Sequence, residues 1–308
     1  MKAIAEAPSK AIVVGEHFVV HGAWALAAAL PRKVRVEVSP SGSYRADSDR
    51  FPADSAGLRP LKHVVDAMAK EFSVSPAVNV SVSSSIPQGA GLGSSASTMV
   101  AAAAAVSRLY SLGLGTDELV RFAMIGEQGI HGRPSGVDPT VCASGGVLLF
   151  KPGEEPRKVE IRGERRLIVS FSGVSRRTKT QIRKVSLMRE RFPGFFGMLA
   201  ASVGGLSLEA AELLKRGDVK GVGSILTIDH AALRAVGVSS TELDAMVELF
   251  ASEGAYGAKL TGGGGGGSVI ALAPEAKEKS IVSGLTARGF ETFIAKVPVE
   301  GVKSWLER

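Results

Sequence analysis

Residues 86–97 read IPQGAGLGSSAS, and they lead into an alanine-rich segment, residues 95–112, that is apolar nearly all round. This pattern predicts a glycine loop followed by a buried helix. Gly89, Gly91 and Gly93 would leave main-chain N–H groups uncovered at the start of that helix. Free donors and the positive end of the helix dipole favour an anion there. From the residues alone, a flexible loop with a serine cap is the alternative.

A second glycine cluster lies at residues 259–271, KLTGGGGGGSVIA. Its six glycines stand between two strand-like segments, so a flexible linker there would split a hairpin. We therefore predict a tight turn whose bare backbone packs close to a ligand or to the first loop. Two common phosphate motifs are excluded. No Lys follows in the Walker position, and Ser94 stands where G-x-G-x-x-G requires its third glycine.

The composition is that of a globular chain. Its 308 residues are 45% hydrophobic and 22% charged, enough for one large or two ordinary domains. We expect neither a secretory signal nor a membrane span, because the start lacks an apolar core and no apolar run reaches about 18 residues. Cys142 is the single cysteine, which excludes an intrachain disulfide and favours the cytoplasm. The net charge of +7 indicates a solvated basic surface or small phosphorylated ligands, whereas scattered basic residues argue against nucleic acid.

Hydrophobic patterning predicts an α+β chain. The second half is mainly helical and ends strand–helix–strand, which favours helices on one face of a mixed sheet. A stretch rich in charge, glycine and proline, residues 151–166, marks the expected boundary between units 1–160 and 161–308. The first-half elements predicted are strands at 10–20, with a tight turn at Gly15, and at 34–38 and 78–82, and a helix at 61–72.

Three segments together resemble the three motifs of the GHMP kinases. They are APSKAIVVGEHFVVHG (7–22), IPQGAGLGSSAS (86–97) and KLTGGGGGGSVIA (259–271), in the family's order and spacing. Within the family, GEQGIHGRPSGVDPTVCASGG (126–146) and DHAALRAVGVSS (229–240) are most similar to the mevalonate-phosphorylating branch. The resemblance therefore covers the whole chain.

The resemblance implies a GHMP kinase fold. An N-terminal α/β domain with a left-handed βαβ crossover would precede a C-terminal ferredoxin-like domain, with ATP between them and its phosphates over the first glycine loop. Three positions depart from the family pattern, which usually has glycine at Ser9, alanine at Gly263 and cysteine at Ser268. We expect the fold and the chemistry to tolerate all three.

The resemblance also assigns the reacting groups. Asp138 would face the acceptor hydroxyl, as a base or by electrostatic orientation, and Lys10 would pair with it. Glu127 and Ser95 would bind Mg²⁺, which prefers hard oxygen ligands. From the residues alone, the alternatives are a turn residue for Asp138, a surface lysine for Lys10 and a helix-surface glutamate for Glu127.

The remaining predicted contacts involve the acceptor and ATP. Glu16, His17 and Thr178 would bind the acceptor by resemblance, although a turn histidine and a helix N-cap threonine are the structural alternatives. The predicted ATP-binding residues are Pro87, Gly89, Ala90, Gly91, Leu92, Gly93, Ser94, Ser95, Ala96 and Gly264.

The implied activity is ATP- and Mg²⁺-dependent phosphorylation of the 5-hydroxyl of mevalonate to 5-phosphomevalonate, in isoprenoid biosynthesis. Alternatives within the fold are a kinase for phosphomevalonate, homoserine or a sugar, and an ATP-dependent decarboxylase. The alternative outside catalysis is a ligand-binding relative that has lost activity. The expected partners are mevalonate and ATP, without nucleic acid or membrane, and the family's habit suggests a homodimer.

Overall fold

The computed structural model describes residues 1–50, 53, 55–131, 134–174 and 178–307, with two β-sheets and nine α-helices among them. The first sheet has the strand order β11-β1-β2-β4-β3, and β5 extends it by pairing with β2 and β6. β2 is long enough to pair with β4 through its second half and with β5 through its first. The strands are β1 (Lys2–Val14), β2 (Ala25–Pro40), β3 (Arg45–Ser48), β4 (Val78–Ser84), β5 (Val147–Phe150), β6 (Arg157–Lys158) and β11 (Lys303–Glu307).

Four helices pack together with this sheet as one unit, and the alanine-rich one is central. It packs against β1, β2 and the other three helices. Residues 101–105, all alanine, are buried, and their short side chains allow the helix to approach the sheet closely. The predicted buried helix is thereby confirmed, three residues shorter at its end than expected. The helices are α1 (Arg59–Phe72), α2 (Ser94–Leu109), α3 (Thr116–His131) and α4 (Val137–Ser144).

The second sheet has four antiparallel strands in the order β10-β7-β9-β8. Helices connect β7 to β8 and β9 to β10, which gives the ferredoxin-like arrangement that the resemblance implies. The elements are β7 (Arg165–Phe171), α5 (Thr178–Arg191), α6 (Pro193–Arg216), α7 (Val219–Ala235), α8 (Thr241–Ser252), β8 (Gly257–Thr261), β9 (Ser268–Leu272), α9 (Glu275–Ala287) and β10 (Glu291–Val297).

One predicted strand is wrong in its second half. The chain leaves β1 at Val14, turns at Gly15 (φ 107°) and forms a short 3-10 turn at Val19–His21 before β2 begins. Phe18 is buried there, and its ring centroid lies 5.7 Å from that of Phe196. Burial of this ring between the two halves of the molecule draws the segment out of the sheet.

The division at residue 160 stays our proposal, with one amendment. Residues up to 158 build the first sheet and residues 165–297 build the second, but β11 returns to pair with β1, Lys2 opposite Glu307. The last strand therefore belongs with the first unit. Among the described helices, α6 alone is long and apolar enough to cross a bilayer by length and composition, a criterion that core helices also meet.

Candidate active site

The first glycine loop ends directly at the N-terminus of α2. Gly93 caps the helix in the left-handed conformation, φ 78°, and no side chain of the described residues bonds the first turn as a cap. Gly89 and Gly91 also have positive φ, 73° and 82°. The first N–H groups of α2 therefore remain available to an anion, as the sequence predicts.

A cavity of about 540 Å³ lies over this loop. Its walls include nine of the ten predicted ATP-binding residues, residue 87 and residues 89–96, together with Glu127 and Asp138. Another wall, formed by Ser48, Arg50 and Ser84 around the end of β3, was not predicted from the sequence. Neither glycine nor a known motif marks β3, so only the sheet pairing brings it here.

Lys10 and Asp138 form an ion pair at the cavity. The Lys10 Nζ atom lies 2.9 Å from Asp138 Oδ1, and the side chains are 1% and 27% exposed. Lys10 comes from β1 and Asp138 from the first turn of α4, so the aspartate is a helix residue rather than a turn residue. A lysine buried to this degree needs a negative partner, and the partly open carboxylate supplies it while still facing the cavity.

Gly93 makes room for this lysine. A Cβ on Gly93 would lie 2.8 Å from Lys10 Cγ and 3.0 Å from Cε, too close for real carbon atoms. The Lys10 N–H also donates to the Leu92 carbonyl, at 2.9 Å. The glycine loop and β1 thus pack closely together. The absence of a side chain at Gly93 leaves space for Lys10 and also leaves the loop backbone uncovered.

Two hard oxygen groups meet beside the same loop. Ser95 Oγ on α2 donates to Glu127 Oε1 on α3, and Glu127 is only 3% exposed. This pair fits Mg²⁺, which commonly takes one or two protein ligands and completes its shell with phosphate oxygens and water. No group of three or more His, Cys, Asp or Glu in the described part of the chain could hold a metal alone.

The second glycine cluster is a tight turn between β8 and β9. Gly264, Gly265, Gly266 and Gly267 all have positive φ. A Cβ on Gly267 would lie 3.1 Å from the Ala90 carbonyl oxygen, so the turn packs directly on the first glycine loop. The linker alternative is therefore wrong, because the bare backbone is needed for this close approach.

Behind the turn, a buried ion network joins the two halves of the molecule. Lys259 on β8 pairs with Glu16, and its Nζ lies 3.2 Å from Asp229 Oδ2 on α7. All three side chains are at most 1% exposed. Lys259 and Asp229 were not among the predicted site residues, although each is the first residue of a segment that carries the family resemblance.

Comparison with known proteins places this site in a family. Sequence profiles of the GHMP kinases N terminal domain and the GHMP kinases C terminal domain match residues 59–146 and 210–291. A curated mevalonate kinase of Aeropyrum pernix is 35% identical, over 97% of this chain and 97% of its own. The chain belongs to the GHMP kinases.

Solved GHMP kinases share the whole fold. A crystal structure of L. major mevalonate kinase in complex with R-mevalonate matches with a TM-score of 0.83, at 29% identity over 96% of each chain. Streptococcus pneumoniae phosphomevalonate kinase, with phosphomevalonate and AMPPNP, matches with 0.84 at 16% identity, over 96% of this chain and 99% of its own. The fold alone therefore does not select the acceptor of this GHMP kinase.

Besides Lys10, three predicted site residues are not part of the cavity walls, and a fourth has a side chain that the structure does not describe. Glu16 is buried in the ion network, and His17 Nε2 lies 3.0 Å from the Gly263 carbonyl oxygen. A Cβ on Gly264 would collide with the Val238 carbonyl oxygen. The side chain of Thr178 lies outside the described residues. Contacts of all four with a ligand stay predictions.

Proposed function

We propose that this GHMP kinase transfers the γ-phosphoryl group of ATP to the 5-hydroxyl of mevalonate. Support for the acceptor comes from full-length similarity to mevalonate kinases at up to 35% identity. The observation that carries the chemistry is the Lys10–Asp138 pair, which faces a cavity whose floor is a helix N-terminus with no side-chain cap among the described residues. An anion-binding floor beside a carboxylate fits phosphoryl transfer to an alcohol.

The Asp138 carboxylate would receive the acceptor. In this proposal the 5-hydroxyl oxygen forms a bond to the γ-phosphorus while the bond from that phosphorus to the β,γ-bridging oxygen breaks. The hydroxyl proton passes to Asp138, and ADP leaves. Lys10 holds the carboxylate in place through its 2.9 Å contact, because its buried ammonium has few other positions open to it.

The nucleotide would lie with its phosphates over residues 89–96. The N–H groups of the first α2 turn and the Ser94 and Ser95 hydroxyls are the donors that this floor offers. Ser95 and Glu127 would hold Mg²⁺, which neutralises phosphate charge when bound. Loss of the Ser95–Glu127 hydrogen bond would leave one oxygen of each residue available to hold the ion.

The acceptor is tested by coupled ADP release with mevalonate, phosphomevalonate, homoserine, galactose and shikimate. We expect kcat/KM for mevalonate to exceed that for every other acceptor, with a phosphorus NMR signal from a 5-phosphomonoester. A higher value for any other acceptor would overturn the acceptor assignment. No ADP release with any of them, despite ATP binding, would favour a ligand-binding relative.

The role of Asp138 is tested by Asp138→Asn, which keeps the shape and removes the charge. We expect kcat to fall about 10³-fold, because both proton acceptance and hydroxyl orientation are lost. ATP affinity, measured by calorimetry, should change less than threefold. Asp66→Asn on the exposed face of α1 is the matched control and should leave kcat unaltered. Equal effects of the two variants would refute the assignment.

A homodimer and residence in the cytoplasm are further proposals. The described ends of α5 and α6 carry exposed apolar side chains, among them Leu187 and Met198, 53% and 68% exposed, which supports a protein contact there. Light scattering should then give about twice the 31.9 kDa chain mass, and Met198→Glu should lower it. Absence of a disulfide partner for Cys142 supports the cytoplasm.

A further inference from the structure

The contact between the two halves behind the cavity is built from two short segments, residues 12–17 and residues 259–263, which we call the seam. Thr261 Oγ1 both donates to the Ile12 carbonyl, at 3.0 Å, and accepts from its N–H, at 3.1 Å. His17, in the left-handed region at φ 62°, lies 3.0 Å from the Gly263 carbonyl oxygen. The seam therefore fixes the second glycine turn relative to the turn that carries Glu16 and His17.

Glu16, Asp229 and Lys259, which we call the seam triad, lie at the centre of this contact. Asp229 Oδ2 accepts from the Gly15 N–H at 3.3 Å as well as from Lys259. Glu16 Oε1 accepts from Lys259 and from the Gly262 N–H at 3.4 Å. Each carboxylate thus ties a backbone amide of one glycine-containing turn to the shared ammonium.

The charges of the seam triad do not balance. Two carboxylates share one ammonium, and all three groups are shielded from water. Among the described residues, Glu16 Oε2 and Asp229 Oδ1 have no hydrogen-bond partner. A buried net charge of this kind is costly, so uptake of one proton by a carboxyl group would relieve it.

Among the described residues, the other titratable groups at the triad add no lysine or arginine that pairs with it. His230 on α7 accepts from the Leu260 N–H through Nδ1, at 3.4 Å, and burial lowers its pKa, which favours the neutral imidazole. Its Nε2 lies 3.1 Å from Asp244 on α8. Burial raises the pKa of Glu16 to about 7; the Lys259 charge lowers it, and the Asp229 charge raises it further.

We propose that Asp229 and Lys259 are positioning residues for the acceptor, and that a proton held by the seam triad tunes acceptor affinity. The inference rests on the proposed function, in which the acceptor carries a carboxylate, and on the predicted contacts of Glu16 and His17 with that acceptor. With the proton bound, the triad is neutral. Without it, the triad carries one negative charge, which repels a carboxylate-bearing acceptor. The KM for the acceptor should therefore rise with pH.

Asp229→Asn tests whether the net charge of the seam triad causes the pH dependence of the KM for the acceptor. Its amide oxygen can still accept from Gly15 and Lys259, but Glu16 and Lys259 are then left as a balanced pair. In the wild type we expect the KM for mevalonate to rise roughly fivefold from pH 6 to pH 9. In Asp229→Asn that rise should disappear, whereas kcat and the KM for ATP follow the wild-type pH profile. An unchanged rise in the variant would overturn the proposal.

Lys259→Met tests positioning separately from turnover. It leaves two buried carboxylates without their cation, so the seam should loosen, and hydrogen exchange at residues 15–17 and 262–267 should quicken at least tenfold. Glu278→Gln is the matched control, since Glu278 is a buried carboxylate on α9 that lies 3.3 Å from Arg166 on β7 and outside the two seam segments. Exchange equal to that of the control would overturn the positioning role.

The two readouts separate the possible failures. If the wild type releases no ADP with mevalonate, the proposed function fails, while the exchange experiment still tests the seam without any acceptor. If the wild type is active but Asp229→Asn keeps the wild-type pH profile of KM, the triad proposal fails and the proposed function stands.

Discussion

Substitution of Gly93 by alanine should disable the enzyme through Lys10 rather than through the backbone alone. The new Cβ would lie 2.8 Å from Lys10 Cγ, and Lys10 is 1% exposed, so its stem has no free space in which to move. Overpacking of this kind costs about 1–3 kcal/mol. Left-handed backbone at φ 78° adds about 1 kcal/mol for a residue with a side chain. We therefore expect a loss of about 2–4 kcal/mol in the free energy of unfolding.

The turnover of the folded variant should fall as well. Displacement of Lys10 by about 1 Å would misplace Asp138 against the acceptor, which commonly costs about 10²-fold in rate. The assays are urea unfolding and coupled ADP release. Gly113→Ala is the matched control, because Gly113 has φ 67° and nothing lies within 4 Å of the place that a Cβ would take there. If both variants lose equal stability and Gly93→Ala keeps its kcat, the reasoning about Lys10 is refuted.

Three further outcomes are expected. Burial raises the pKa of the Cys142 thiol to about 12, so the native protein should resist a disulfide-exchange reagent at pH 8 and react with one equivalent only when unfolded; rapid native reaction would contradict this. Glu127→Gln should raise the Mg²⁺ concentration for half-maximal activity at least tenfold, and an unchanged titration would exclude Glu127 as a ligand. Glu16→Gln should change how stability depends on pH. Folding raises the pKa of Glu16 from 4.5 to about 7, so the bound proton stabilises the folded state. This contribution to the free energy of unfolding is at most ~3 kcal/mol; it is complete below pH 4.5 and is lost as pH rises through 7. The measurement is the free energy of unfolding in urea from pH 4.5 to 8. The same pH dependence in wild type and variant would contradict that sign.

Local pattern was sufficient to predict the glycine loop and the helix N-terminus that form the floor of the cavity. The glycines before residues 94–109 and the apolar alanine run predict a bare helix N-terminus, because both depend on neighbours in the chain. Ser95, Glu127, Lys10 and Asp138 were assigned by resemblance, and the structure brings each pair together. By contrast, the prediction of a strand after Gly15 was wrong. Burial of Phe18 against a helix almost 180 residues later outweighs the β propensity of the segment.

The sequence alone identified the glycine-rich stretches of backbone and the reacting residues that the family resemblance assigns. Glycine placement and motif order are properties of neighbouring residues, so no tertiary structure was needed for them. What those features touch became known only from the folded molecule. It packs Gly267 on Ala90, gives Lys10 the space left by Gly93, and closes two carboxylates around Lys259. Desolvation and close packing act here between segments as much as 243 residues apart, where no sequence period or spacing records them.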